Sequence, residues 1–189
     1  MQAAVSGYEA GQVLYMALEL SNRTWRLGFS NGSKMRQKTV SARVLSQVLH
    51  EIALAKEKLG LAADVRVVAC YEAGRDGHWI YRWLREQNVE ALVIDSSSIE
   101  RAQGRKHVKT DAVDVERLLD LLIRYCLGFR RSMRVVRVPD EAAEAALRLH
   151  REDERLVKER GRVANRIRSI LATQGLVDVR LGLGFEAWL

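Results

Sequence analysis

Three strand-length segments joined by short polar turns open the chain. They run over Val13–Ser21, Thr24–Ser30 and Met35–Val40, and their connections, Asn22-Arg23 and Asn31-Gly32-Ser33-Lys34, are typical hairpin material. From Arg43 to Leu59 the spacing changes. Val44, Leu45, Val48, Leu49, Ile52 and Leu59 recur at helical intervals, and Gly60 stops the run. Val65–Glu72 is almost continuously apolar, the pattern of a strand covered on both faces. The Gly-containing turn Ala73-Gly74-Arg75-Asp76-Gly77 then leads into a helix over His78–Gln87. A strand at Ala91–Asp95, a basic polar loop at Ser96–Thr110 and a helix over Asp111–Leu127 follow, while residues 1–12 read as a loose tail.

The order β-β-β-α-β-α-β-α is an antiparallel meander continued by parallel crossovers. It predicts an α/β, ribonuclease-H-like (RuvC-like) mixed sheet with flanking helices over residues 13–138. In that fold the first strand, the fourth strand and the last helix come together at one edge. Beyond Val135–Val138, Pro139 marks a boundary, and Asp140 to about Gln174 reads as one long helix stopped by Gly175. Leu149, Leu156, Val163 and Ile170 recur every seven residues, with Val157, Ala164, Ile167 and Leu171 beside them, a seam of coiled-coil type. Asp153 and Arg160 occupy the alternate heptad position, which predicts a narrow or partner-dependent contact. The expected organisation is a tail over 1–12, a domain over 13–138, a helix over 139–175 and a second tail over 176–189.

Composition narrows the class. The 189 residues are 48% hydrophobic, enough for a real core, and the net charge is +7. A basic excess favours a polyanionic partner, because neutralised phosphates release their counterions. Cys70 and Cys126 each lie in an apolar run and are expected as buried free thiols, which suits a reducing cytoplasm. His50, His78, His107 and His150 are scattered, so no zinc-ligand spacing arises. No apolar run reaches membrane-span length.

Against this basic background four carboxylates stand at element ends: Glu19 and Glu72 close apolar strands, while Asp111 and Asp114 open an apolar helix on one face. Gathered together they would hold hard divalent cations, Mg2+ or Mn2+, and two such ions about 4 Å apart serve phosphodiester chemistry. The plainer explanations are solvent exposure for Glu19 and Glu72, and helix capping for the two aspartates. Arg101, Arg105, Lys106, His107 and Lys109 make a basic loop beside the acids, suited to a phosphate backbone. Arg155, Arg162 and Arg166 lie on a face of the long helix that could contact nucleic acid, although Glu152, Asp153, Glu154 and Glu159 offer intrahelical partners. Trp79 and Trp83, one helical turn apart, are expected against the sheet. Leu20-Ser21-Asn22-Arg23 lacks the glycine-rich phosphate loop of an actin-like ATPase.

Val13-Leu14-Tyr15-Met16-Ala17-Leu18-Glu19-Leu20-Ser21, Tyr71-Glu72-Ala73-Gly74, Lys109-Thr110-Asp111-Ala112-Val113-Asp114 and Arg162-Val163-Ala164-Asn165-Arg166-Ile167-Arg168 together resemble the DEDD transposases of the IS110 insertion sequences. The resemblance covers residues 13 to 176, with Glu19 where the family commonly has aspartate. It implies a RuvC-like domain and a coiled-coil helix ahead of a serine-bearing domain, here expected to follow Leu189. It further implies a recombinase that works on DNA with a structured guide RNA, as a homo-oligomer assembled through the long helix. Two other readings stay open: a self-contained RuvC-like nuclease such as a junction resolvase, and a non-catalytic nucleic-acid-binding assembly module.

Overall fold

The computed structural model describes residues 12–72, 74, 78–97, 111–177, 180 and 181. Their elements, in chain order, are β1 (Val13–Leu20), β2 (Thr24–Ser30), β3 (Met35–Ser41), α1 (Leu45–Lys58), β4 (Arg66–Glu72), α2 (Trp79–Glu86), β5 (Glu90–Ile94), α3 (Asp111–Cys126) and α4 (Glu141–Ala172). They fall into two units, Met1–Val138 and Pro139–Leu189.

In the first unit the strands form one mixed sheet in the order β3-β2-β1-β4-β5. β1 to β3 are an antiparallel meander, and β4 and β5 join β1 as parallel strands. This is the ribonuclease-H-like α/β arrangement that the element order predicts. Strand alternation divides the core into two layers. Leu14, Met16 and Leu18 of β1 lie with Trp25, Leu27 and Phe29 of β2 and Val67, Ala69 and Tyr71 of β4, against Val48, Ile52 and Ala55 of α1 and Ile80 and Leu84 of α2. On the other face Val13, Tyr15, Ala17, Val68, Cys70 and Ile94 meet Val115, Leu118, Leu119, Leu122 and Cys126 of α3. Both faces of β1 and β4 are therefore dry, which explains their unbroken apolar sequence. Trp79 and Trp83 do pack against the first layer, and the Trp79 ring lies 5.9 Å from that of buried Trp25.

Local differences from the sequence expectation have local causes. α1 starts at Leu45, two residues late, because Arg43 takes a left-handed backbone (φ 65°) that no right-handed helix can include. Val44 and Leu49, which fit the helical periodicity, are exposed, and Glu51 is buried in their place. Its carboxylate accepts from the Arg36 guanidinium at 2.8 Å, and Arg36 also lies over the Phe29 ring, so the charge is paired before it is covered. The segment around Val135 covers the outer edge of β5: the Asp95 amide donates to the Arg134 carbonyl at 2.9 Å, and the Val136 amide to the Val93 carbonyl at 2.8 Å. Cys70 and Cys126 are free, buried thiols, as expected. Among the described residues no helix is long and apolar enough to cross a membrane.

In the second unit α4 spans 32 residues, about 48 Å of helix. Asp140 caps it by accepting from the Ala143 amide at 2.7 Å, and Gly175 (φ 78°) turns the chain out after Thr173. Arg148 pairs with Glu144 at 2.6 Å, and Arg155 with Glu159 at 3.3 Å, so part of the charged surface is internally matched. Leu149, Leu156, Val163 and Ile170 are all exposed.

Candidate functional site

The parallel pairing of β1 with β4 runs from Val13 opposite Arg66 to Leu18 opposite Tyr71. One step further along each strand come Glu19 and Glu72. The two carboxylate residues thus emerge level with each other from adjacent strands about 4.8 Å apart. Alternation puts both on the face of Ala17 and Cys70, the face that α3 covers. Glu19 is half-buried and Glu72 exposed. β1 and β4 lie at the centre of the sheet, so what they share is the end at which both strands finish, not a lateral edge.

α3 reaches these ends because β2 lets it approach. Gly28, opposite Ala17, has no side chain; a Cβ there would stand 2.3 Å from Val115 Cγ1 and 2.8 Å from Leu119 Cδ1. On the β4 side the Cys70 thiol donates to the Leu118 carbonyl at 3.6 Å. The helix runs antiparallel to β1. Val115 lies over the Ala17–Gly28 pair, while Cys126 feels the charges of Arg66 and Glu90, which start β4 and β5. Its opening turns therefore lie toward the strand ends. Asp114, half-buried, precedes Val115 and shares a helical stripe with Leu118 and Leu121.

Asp111 is the first residue of α3, but its side chain lies outside the described residues. So do Arg101, Arg105, Lys106, His107 and Lys109 of the basic loop. Among the described residues no three acidic, His or Cys side chains form a group that could hold a metal ion. Glu19, Glu72 and Asp114 stand toward one end of one layer without forming such a group, and the side chain of the fourth acid is not among those described. Arg155, Arg162 and Arg166 are exposed on α4, and Arg155 is engaged by Glu159.

Beneath the acids the layer is apolar, and its ionisable groups are held neutral. Burial, with Cys126 beside it, pushes the Tyr15 hydroxyl up to about 12. Burial raises the Cys126 thiol to about 12, Glu90 adding to the effect, and drives Cys70 upward too. Such thiols are poor nucleophiles.

Sequence reading missed the polar residues flanking Glu19. The antiparallel register sets Arg26 directly opposite Glu19, on the same face. The Arg26 Nε–H donates to Gln37 Oε1 at 2.8 Å, and Gln37 Nε2 donates to Glu116 Oε1 of α3 at 2.9 Å. The signal was the two-residue connection Asn22-Arg23: once a hairpin turn is that short, the pairing of β1 with β2 is determined.

Residues 29–174 match the transposase family named for the DEDD transposases of IS110. The chain belongs to that family. It is also 33% identical, over 168 residues, to a Sinorhizobium fredii protein that carries the provisional name transposase y4rJ. The alignment takes in 86% of this chain and 42% of the relative, so this DEDD-family chain spans less than half the relative's length. Family membership agrees with the fold.

Proposed function

We infer that this region is the acidic part of a DNA transposase, in which Glu19, Glu72, Asp111 and Asp114 hold divalent metal against a scissile phosphate. The observation that carries the reading is the β1–β4 register, which brings Glu19 and Glu72 out level on the face covered by the helix that Asp111 and Asp114 open. The donor chemistry suits the ion, since all four ligands are hard carboxylate oxygens and the exposed Glu72 leaves room for water, which Mg2+ retains. Glu19, Glu72 and Asp114 do not form a ligand group by themselves, so the site would be completed by Asp111 and by the ion drawing the acids together. A divalent cation held there supplies charge neutralisation at the phosphate. The longer arm of Glu19 extends its oxygens further from the strand than an aspartate would.

The protein's own groups do the rest. Arg101, Arg105, Lys106 and Lys109 hold the DNA backbone next to the acids, as their position just before α3 suggests. Arg155, Arg162 and Arg166 of α4 contact nucleic acid, including a structured guide RNA, and the Leu149–Ile170 seam joins chains into a dimer or tetramer. These three roles rest on family likeness, on the +7 charge and on the exposure of the seam. Strand cleavage and exchange use a serine supplied from outside the acidic cluster.

The test is a Mn2+ titration of the purified chain, followed by calorimetry, with Glu72→Gln alongside. The expected outcome is saturable binding that Glu72→Gln weakens at least tenfold. Unchanged binding in that variant removes the metal site. Vigorous Mg2+-dependent cutting of DNA by this chain, abolished by Glu72→Gln, replaces the transposase-part reading with that of a self-contained nuclease.

A further inference from the structure

The hydrogen-bonded chain Arg26–Gln37–Glu116 spans the layer boundary next to the acids, and packing does not require it. Arg26 and Gln37 are half-buried on β2 and β3, and Glu116 is exposed on α3. All three could be solvated individually. Instead Gln37 uses both ends of its amide, accepting from Arg26 Nε and donating to Glu116 Oε1. Its two partners each neighbour a site acid: Arg26 is the cross-strand partner of Glu19, and Glu116 lies two residues after Asp114 in the opening turns of α3.

We propose that Gln37 is a positioning residue for the acidic site, a tether that holds the opening turn of α3 at a set distance from Glu19. Asp114 is half-buried, and Val115 after it is the first described side chain of α3 that is fully buried. The first helical N–H groups have no partners within the helix, so a polar anchor close to Asp114 limits how far this turn can move. The Gln37–Glu116 bond supplies that anchor, and the Arg26–Gln37 bond passes it to the strand opposite Glu19. Outer groups that orient ligand-bearing elements commonly change metal affinity about 10–100-fold when they are lost. This inference rests on the metal reading above for one of its two measurements and is independent of it for the other.

Two variants separate tethering from charge. Gln37→Glu keeps an acceptor for Arg26 but sets a carboxylate against Glu116, breaking the link and adding one negative charge near the acids. Combining Gln37→Glu with Glu116→Gln restores the link with donor and acceptor exchanged and leaves the net charge as it was. The full chain is titrated with Mn2+, and hydrogen exchange is followed at the amides of residues 115–119. Gln37→Glu is expected to bind Mn2+ about tenfold more weakly despite its extra charge, with faster exchange in that turn. The exchanged pair is expected to recover both properties to within about twofold of the parent. Denaturation midpoints accompany each variant, so a general loss of stability is seen as exchange that rises throughout the sheet.

Mn2+ binding that stays equal or tightens in Gln37→Glu overturns the proposal, as does failure of the exchanged pair to recover. If the parent chain binds no Mn2+, the metal reading falls and exchange alone decides. Unchanged exchange at residues 115–119 in Gln37→Glu then overturns the tether, while local acceleration reversed by the exchanged pair supports it.

Discussion

Gly28→Ala probes the arrangement at its tightest point. The added methyl would meet Val115 Cγ1 at 2.3 Å and Leu119 Cδ1 at 2.8 Å, where carbon atoms ordinarily rest about 3.5–4.0 Å apart. The Leu119 end can swing away. Val115 cannot, being β-branched, stiff at χ1 and fully buried. Relief must come from an off-rotamer Val115 or from α3 lifting off the sheet, and overpacking of this kind costs about 1–3 kcal/mol. Alanine recovers about 0.5–1 kcal/mol over glycine in a strand, so the net loss should be about 1–2 kcal/mol. In urea this lowers the unfolding midpoint by about 0.5–1 M. Adding Val115→Ala makes room for the methyl. The double variant should therefore be more stable than the sum of the two single losses predicts, by about 1 kcal/mol or more. A Gly28→Ala chain as stable as the parent, or strict additivity in the pair, refutes the claim that α3 sits where it does because position 28 lacks a side chain.

Other outcomes follow from the same contacts. Raised thiol pKa values mean that at high pH the unfolded chain loses protons that the folded chain keeps; stability should then fall as pH climbs from about 9 toward 12, with Cys70 and Cys126 both contributing. Denaturation curves at stepped pH check this, and a flat profile would contradict it. At pH 8 the native protein should react with a thiol reagent only as fast as it unfolds, because Cys70 and Cys126 are both buried. Glu51→Ala leaves the half-covered Arg36 without its carboxylate partner and should cost about 1–3 kcal/mol, read by urea denaturation. If the exposed seam of α4 joins chains as proposed, the parent should scatter light as a dimer or tetramer and Leu156→Glu, which places a charge in that seam, as a smaller species. An unaltered mass would remove the seam from the contact.

How far the sequence could be read varied with the kind of interaction. β1 and β4 were legible because both faces are buried, so the apolar run itself marks the element and its length. α4 was legible from its seven-residue spacing and from its cap and stop residues. The start of α1 was not, since nothing in Arg43-Val44 announces a left-handed residue before the first turn. Glu51 was hidden for a different reason: periodicity assigns the buried face to apolar residues, and only the Arg36 partner 15 positions earlier allows a carboxylate to take that place. For the acids, chain order indicated which elements carry Glu19, Glu72 and Asp114. The role of Gly28 and the Arg26–Gln37–Glu116 chain depend on strand register and on close approach between layers. Neither property has a periodic signature along one element.

The matched pairing of β1 and β4 makes the acidic end a matter of parity. Side chains on a strand alternate, so sliding β1 by a single residue would turn Glu19 to the α1 side and bring Leu18 or Leu20 up beside Glu72. Such a slip would also present Leu14, Met16 and Leu18 to α3 and leave Arg26 facing the wrong neighbour. Small changes in strand position therefore have no graded effect here. One-residue insertions or deletions between Val13 and Glu19 should either be absorbed as a bulge with the acids still level or abolish the arrangement outright, whereas two-residue changes keep the same side chains facing α3.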